Sequence, residues 1–322
     1  MLSFGTGLFF AFLVSRYGEK LGLVDIPNVR SSHTVPTPRG GGIGIPIIAG
    51  GVTFLLAPSF SIMVGLALVL SVFALIDDKK GLPVIVRFLL QMVLALVLVL
   101  VYRGDLLRSV EREWGVLVMV SVVFFAVIFI TASTNFFNFM DGINGISGFM
   151  AVVSFGLLGV YHVLYGAGSD FLLLCTAVVF SAVGFLFMNF PKGRVFMGDV
   201  GSIFIGNLFA FVVIFRVGSI KEFLLLTLFQ GTMYLDCVST IILRLFNREN
   251  ILQAHKKHLY QHLVHGMGWT HARVTLVFSS VQLLAGVGAI LLYKYHVVYL
   301  AGLWLFLVIV YWLIRPGPHR TV

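Results

Sequence analysis

The sequence predicts an all-α fold, a polytopic transmembrane helical bundle of about 11 helices with its N-terminus outside and its C-terminus inside. Three observations lead to this prediction. Of the 322 residues, 59% are hydrophobic and only 11% are charged, whereas a soluble domain is nearer a quarter charged. The apolar residues form runs that approach the roughly 20 residues needed to cross a bilayer. The basic residues are distributed unequally between the two sides that these runs define.

The apolar runs follow one another without a polar segment long enough to form a soluble domain. We therefore expect a single integral membrane domain over residues 1–322. The expected helices are residues 2–17, 43–58, 60–76, 84–102, 115–134, 146–165, 170–188, 202–216, 222–243, 273–293 and 297–314.

The orientation follows from the basic residues. With the N-terminus outside, 16 of the 22 Lys and Arg residues lie on the cytosolic side and 6 on the external side, as the positive-inside rule requires. The formal net charge of +9 is explained by this bias and by attraction to anionic lipid, without nucleic acid as a partner. The two cysteines lie in apolar runs and form neither a disulfide framework nor a zinc pattern.

The polar connections on the cytosolic side are the longer ones, and they contain most of the unusual residues. These segments are 18–42, 77–83, 135–145, 189–201 and 244–272. Because they all reach the same membrane face, side chains from distant parts of the chain can meet there. We expect an active site on the cytosolic face.

Asp77 and Asp78 directly follow the third apolar run. Two adjacent carboxylates at a helix C-terminus are unfavourable for the helix dipole and for desolvation unless a cation or basic group compensates them. Magnesium binding or proton transfer would explain the placement. The alternative is a solvated loop neutralised by Lys79 and Lys80.

Asn135, Asn138 and Asp141 are spaced three residues apart at the end of the fifth run. This spacing predicts three oxygen-bearing side chains along one helical stripe. Glycines at three-residue intervals from Gly142 onward would let a ligand approach the backbone. The alternative is a helix exit that is rich in turn residues.

Two glycine-rich segments flank other charged residues. Asp199 lies between two glycines with Ser202 able to cap the eighth helix, so the carboxylate could face a metal and the helix start a phosphate. Arg39 precedes a run of glycines that could form an anion-binding nest. The alternatives are a capped turn and a flexible helix start.

His255, His258 and His262 would share one face if their segment were helical. No Cys or acidic ligand accompanies them, so phosphate binding fits better than zinc. An interfacial amphipathic helix is the alternative. Asp236 is the acidic residue placed within an apolar run, which makes it a functional candidate, with Arg244 as its expected partner.

In their order along the chain, these motifs resemble those of the polyprenyl-phosphate N-acetylhexosamine-1-phosphate transferases. This family includes the phospho-MurNAc-pentapeptide translocase and the enzymes that start O-antigen assembly. The resemblance rests on Asp25-x-Pro-Asn-x-Arg-x-x-His33, Pro38-Arg-Gly-Gly-Gly42, Asp77-Asp78 with Arg87 and Gln91, Asn135-x-x-Asn138-x-x-Asp141-Gly, Asn189-x-Pro191, Phe196-Met-Gly-Asp-Val-Gly-Ser202, Asp236 with Arg244, and His255-x-x-His258.

The resemblance implies transfer of a sugar 1-phosphate from a UDP-N-acetylhexosamine to undecaprenyl phosphate, with release of UMP. It implies a magnesium-dependent enzyme, with Mn²⁺ as an alternative ion, in the bacterial inner membrane, and a homodimer is compatible with it. The catalytic residues that it implies are Asp77, Asp78, Asp141, Asp199, His255 and His258, with Asp199, Asp77 and Asp78 as metal ligands. The substrate-binding residues that it implies are Arg39, Arg87, Asn135, Asn138, Asn144, Asn189 and Asp236.

Two positions depart from the common pattern of that family. Asn144 stands where many members have a second aspartate, and Tyr260 stands where a third histidine often occurs. The form His-x-x-His-Leu-Tyr-Gln resembles the O-antigen initiating branch, which implies a deoxy sugar such as FucNAc or QuiNAc beside GlcNAc. The alternative class is a transporter of an anionic solute, which would place ionisable residues near the bilayer midplane.

Overall fold

The computed structural model describes residues 1–27, 32–166, 169–251, 253 and 255–315, with the side chains of 78–80 and 104–106 left out. The described part is mostly helical. Its helices are α1 (Leu2–Tyr17), α2 (Gly44–Leu56), α3 (Ser61–Lys80), α4 (Val84–Trp114), α5 (Val116–Met140), α6 (Ile146–Tyr165), α7 (Asp170–Asn189), α8 (Asp199–Arg216), α9 (Ile220–Leu228), α10 (Gly231–Phe246), α11 (Leu259–His265), α12 (His271–Leu292) and α13 (Val297–Ile314). Two short strands, β1 (Val24–Asp25) and β2 (Thr37–Pro38), pair antiparallel.

The prediction of a polytopic helical membrane protein is confirmed. In the described part, eight helices are long and apolar enough to cross a membrane, and α9 with α10 makes a ninth if the two count as one broken span. Leu2–Tyr17 and Gly41–Leu56 are apolar but shorter. Each expected apolar run therefore corresponds to helix, although the side of the membrane that each end faces stays a prediction.

The expected ninth helix, residues 222–243, is wrong as a single element. The chain leaves the helix at Phe229 and Gln230, and α9 and α10 are bent by 93° relative to each other. Ser154 Oγ donates to the Phe229 carbonyl oxygen at 3.0 Å, which satisfies an acceptor that the break exposes. Gly231, a poor helix former, begins the second piece.

The centre of the bundle is α8, in which 83% of the apolar span is buried inside the protein, whereas in α13 the buried share is 17%. Its contacts with α5 are close because Gly206 lacks a side chain: a Cβ there would lie 2.6 Å from Phe137 Cβ. The pair α1 and α7 is packed in the same way, since a Cβ on Gly7 would lie 2.1 Å from the Ser181 carbonyl oxygen. Small residues thus set the helix spacing, as is usual in membranes.

One end of the bundle collects the polar residues that the sequence singles out. The last turns of α3, α5 and α7 reach this end, as do the first turns of α8 and α12. The loops between these helices can therefore surround a single cavity, and the predicted convergence of distant segments is confirmed.

Candidate active site

A polar cavity of about 410 Å³ opens at this end of the bundle. Its walls come from four of the five segments expected to meet, within residues 25–39, 141–144, 189–199 and 255–271. Six predicted site residues line it: Arg39, Asp141, Asn144, Asn189, Asp199 and His255.

Asp199 is the first residue of α8, where the helix dipole favours a negative charge. Its Oδ1 accepts a hydrogen bond from Asn138 Nδ2 at 2.9 Å, and the same nitrogen donates to Ser202 Oγ at 2.9 Å. The expectation that Ser202 caps α8 is wrong, because the helix begins three residues earlier. Asn138 therefore fixes the orientation of the Asp199 carboxylate in the cavity.

Two cations balance the acidic charge beside this carboxylate. Arg39 and Arg87 both act on Asp199 electrostatically, and Asp77 opposes them. Arg87 Nη1 donates to Asp77 Oδ2 at 2.8 Å, while Asp77 Oδ1 accepts the Leu82 amide at 2.6 Å. Both oxygens of Asp77 are thus engaged by the protein, and this carboxylate orients Arg87.

Asp77 lies in the last turn of α3, at a helix C-terminus as expected, although the helix extends to Lys80, beyond the expected run 60–76. Arg87 of the next helix supplies a compensating charge for Asp77, while the side chains of Lys79 and Lys80, which the sequence suggested for this role, lie outside the described residues. The side chain of Asp78, the other member of the predicted pair, lies outside the described residues, so its role stays a prediction.

The glycine run after Arg39 packs against the loop that precedes Asp199. The amides of Gly41 and Gly42 donate to the carbonyl oxygens of Phe196 and Met197 at 2.9 and 3.0 Å. A Cβ on Gly198 would lie 2.6 Å from the Gly40 nitrogen. Within the glycine run suggested as an anion nest, the Gly41 and Gly42 amides are therefore already engaged, and the glycines let the two backbones touch.

The loop after α5 forms another wall of the cavity. Asp141 Oδ1 accepts from Ser147 Oγ at 2.5 Å, and Asn144 Nδ2 donates to the Pro191 carbonyl oxygen at 3.0 Å. Asn189 is buried, and its amide joins two loops by accepting from the Gly145 amide at 2.6 Å and donating to the Val195 carbonyl oxygen at 2.8 Å. The loop geometry thus depends on side-chain amides.

The expected stripe of Asn135, Asn138 and Asp141 does not face a single ligand. Each step of three residues falls about 60° short of a full turn, so the three side chains meet different neighbours. Asn135 Nδ2 donates to Gln91 Oε1 of α4 at 2.6 Å, Asn138 contacts α8, and Asp141 contacts Ser147 of α6. Only the last of the three lines the cavity.

The predicted shared face of His255, His258 and His262 is wrong, because α11 begins only at Leu259. His255 lines the cavity. Burial, and then the nearby His258 and Arg244, lower the pKa of His255 from 6.5 to about 4. This imidazole is therefore neutral at pH 7, and an anion beside it would raise its pKa.

Asp236 is fully buried and does not pair with Arg244, which corrects the expected partner. Its Oδ1 accepts from the Leu259 amide at 2.8 Å, and its Oδ2 accepts from the Tyr260 amide at 3.3 Å. These are the first amides of α11, which have no acceptor within their own helix. Arg244 instead donates to Glu249 and to neighbouring backbone carbonyls.

His258 is also buried, with Nδ1 3.5 Å from Asp236 Oδ1, and it is not among the cavity-lining residues. Asp236 and His258 thus contact each other in the protein interior, on the side of the histidine segment away from the cavity, while His255 lines the cavity. Asp236 was expected to contact substrate, whereas its oxygens contact the protein.

Sequence reasoning gave no role to several cavity residues. Asp25 and His33 belong to a quoted motif, and the rings of His33 and Phe196 meet edge to face at 4.8 Å. His271 and Gln261 also line the cavity. His271 stands alone at the start of an apolar run, so nothing in the sequence distinguished it.

The donor set suits a hard cation that shares its coordination with a ligand. In the part of the chain that the structure describes, no three His, Cys, Asp or Glu side chains cluster as a closed metal site. Asp141 and Asp199 each present a carboxylate to the cavity. Mg²⁺ commonly uses one or two carboxylates plus phosphate oxygens and water, so the residues fit it.

Fold and site together define a polytopic helical membrane protein with a phosphate-compatible cavity at the ends of its helices. The family model for glycosyl transferase family 4 matches residues 60–217. The chain is thus similar to the polyprenyl-phosphate N-acetylhexosamine-1-phosphate transferases.

Relatives in three bacteria illustrate the match. A probable undecaprenyl-phosphate N-acetylglucosaminyl 1-phosphate transferase of Bacillus subtilis is 29% identical over 98% of this chain and 88% of its own length. An undecaprenyl-phosphate alpha-N-acetylglucosaminyl 1-phosphate transferase of Yersinia pestis is 33% identical over 61% of this chain and 56% of its own length. A decaprenyl-phosphate N-acetylglucosaminephosphotransferase of Mycobacterium tuberculosis is 28% identical over 82% of this chain and 74% of its own length.

Proposed function

We propose that the protein transfers an N-acetylhexosamine 1-phosphate from a UDP-sugar to undecaprenyl phosphate and releases UMP. The observation that carries the proposal is that Asp141, Asp199, Arg39 and His255 line one polar cavity at the helix ends. A lipid phosphate can reach such a site from the bilayer while a nucleotide enters from water.

The reaction must bring two anionic phosphates together, so neutralising their charge and aligning them is the main task. Arg39 lines the cavity, where its positive charge would attract the donor phosphates. Arg87, held by Asp77 at the start of α4, would attract the acceptor phosphate. His255 lines the cavity as a neutral imidazole and would donate a hydrogen bond from its N–H to a phosphate oxygen of the donor.

Asp199, oriented by Asn138, would hold Mg²⁺ or Mn²⁺. The ion would supply charge neutralisation between the donor phosphates. Asp78 remains the candidate base for the lipid phosphate, since both oxygens of Asp77 are engaged. Asp141 lines the cavity and carries a negative charge. It would therefore accept a hydrogen bond from a hydroxyl group or hold a second ion through water.

Two kinds of donor sugar are supported by different observations. The names of the similar transferases favour UDP-GlcNAc, whereas the motif around His255 and Tyr260 favours a deoxy N-acetylhexosamine and a role in O-antigen or lipopolysaccharide synthesis. We place the protein in the bacterial inner membrane with the cavity on the cytosolic side, where UDP-sugars are found. The 16 basic residues assigned to that side support the orientation.

The test is UMP release by purified protein supplied with Mg²⁺, undecaprenyl phosphate and, in turn, UDP-GlcNAc, UDP-FucNAc and UDP-QuiNAc. UMP should appear with at least one donor and only when the lipid phosphate is present. The matched variant Asp199→Asn keeps the shape of the side chain and should lower the rate by at least about 10²-fold, as expected for loss of a charge that the transition state needs. A wild-type protein that releases no UMP with any donor, or full activity in the variant, would overturn the proposal.

A transporter of an anionic solute makes the opposite prediction. Proteoliposomes would then accumulate labelled UDP-sugar without lipid phosphate and without producing UMP. The position of Asp199 at a helix start, rather than at mid-membrane, favours the enzyme.

A further inference from the structure

The end of the last helix, α13, reaches the histidine segment on the far side from the cavity. Arg315 directly follows α13, and its side chain is only 7% exposed. One of its terminal nitrogens, Nη2, donates to the Lys257 carbonyl oxygen at 2.8 Å and to Thr240 Oγ1 at 3.0 Å. Lys257 lies between His255 and His258, so Arg315 holds the backbone of the segment that carries both histidines.

A second connection runs through the buried Asp236. Nη1 of Arg315 donates to the Tyr311 hydroxyl, which donates in turn to Asp236 Oδ1 at 3.0 Å. The guanidinium also lies 3.9 Å from the same carboxylate oxygen. Since Asp236 accepts the amides of Leu259 and Tyr260, Arg315 and Asp236 together hold both sides of the turn into α11.

This arrangement extends from α13 to the cavity wall. The ring of His258 lies 4.9 Å from that of His255, which faces the cavity. Tyr260 donates from its hydroxyl to the Phe139 carbonyl oxygen at 2.8 Å, close to the loop that contains Asp141. A displacement at Lys257 would therefore move His255 directly.

We propose that Arg315 is a positioning residue, which sets the place of His255 against the phosphates of the nucleotide donor without touching the substrate. Its own contacts are with the protein, and the cavity lining does not include it. The proposal rests on the proposed function for its kinetic consequence, whereas its structural consequence can be measured on the protein without any substrate.

The structural test is hydrogen–deuterium exchange of the full-length protein in micelles. Arg315→Met removes the hydrogen bonds that the charged guanidinium donates to Lys257 and Tyr311. Loss of a hydrogen bond to a charged group should loosen the turn into α11 and speed exchange of the Leu259 and Tyr260 amides roughly tenfold or more. The control Arg16→Met removes the same charge from an exposed position at the end of α1 and should leave these amides unchanged. Unchanged exchange in Arg315→Met would overturn the proposal whether or not the protein is a transferase.

The kinetic test separates positioning from general stability. Arg315→Met should raise KM for the UDP-sugar roughly tenfold, as for a lost hydrogen bond to a charged group, and leave KM for undecaprenyl phosphate unchanged. In a His255→Ala background the same change should have little further effect, because Arg315 acts through His255. Equal rises in both KM values, or additive effects in the double variant, would overturn the proposal. If the wild-type protein releases no UMP, the proposed function is wrong, and the exchange test alone decides whether Arg315 positions the histidine segment.

Discussion

Replacing Asp236 by asparagine should destabilise the protein strongly although the two side chains have the same shape. Both carboxylate oxygens accept backbone amides, those of Leu259 and Tyr260, and the group has no exposed surface. A carboxamide has one acceptor oxygen, so one amide would face an NH₂ group and the charge opposite Arg315 would be lost. Breaking a buried ion pair costs about 3–5 kcal/mol, and we expect about 3 kcal/mol, at the lower end of that range, because Arg315 keeps its bonds to Thr240 and Lys257.

The assay is thermal unfolding of the purified protein in detergent, followed by intrinsic fluorescence. At about 2–4 °C per kcal/mol for a chain of more than 150 residues, Tm should fall by roughly 6–12 °C. The control Asp170→Asn changes a partly exposed acid whose side-chain partners include Ser59 at 3.4 Å. That control should stay within about 0.5 kcal/mol of wild type. A Tm for Asp236→Asn equal to that of the control would refute the reasoning.

Three further predictions concern the glycines, the histidine and the metal. Gly198→Ala should destabilise the protein and abolish activity, because Gly198 has φ +74° and its Cβ would meet the Gly40 nitrogen at 2.6 Å. The control Gly51→Ala, which has open space around its Cβ, should be neutral or stabilising in the same unfolding assay. The pKa of His255 is lowered to about 4 in the folded protein, so between about pH 6.5 and 4 the unfolded chain binds a proton that the folded protein does not. The free energy of unfolding should therefore fall as the pH drops through this window. His255→Asn should lose less stability over the same range, and equal losses in the two proteins would contradict the assignment. Chelation by EDTA should stop UMP release and Mg²⁺ should restore it, while activity that persists in EDTA would count against a role for the ion.

Much of the fold could be predicted because bilayer crossing imposes one strong pattern on the sequence. Long apolar runs must be helical in lipid, where every backbone polar group needs an internal partner. The break at Phe229 and Gln230 could not be predicted in this way, since the segment is as apolar as its neighbours. Its carbonyl is satisfied by Ser154, a residue 75 positions away.

The candidate site was predictable to the extent that its residues share one end of the bundle. Asp199, Asp141 and His255 meet as expected. The roles of Asp77 and Asp236 were not predictable, because each is set by a partner from another helix, Arg87 and the start of α11 respectively. Local spacing described the histidines as helical, whereas a carboxylate from α10 sets the beginning of that helix.

In the proposed reaction the sugar moves together with its phosphate. The most direct test uses a UDP-sugar, taken from the active donor in the panel, that carries ³²P in the β-phosphate. With undecaprenyl phosphate and purified protein, the label should enter the lipid fraction while unlabelled UMP appears in the aqueous phase. Label that stays in water as UDP while sugar enters the lipid would show glycosyl transfer instead, and would contradict the account.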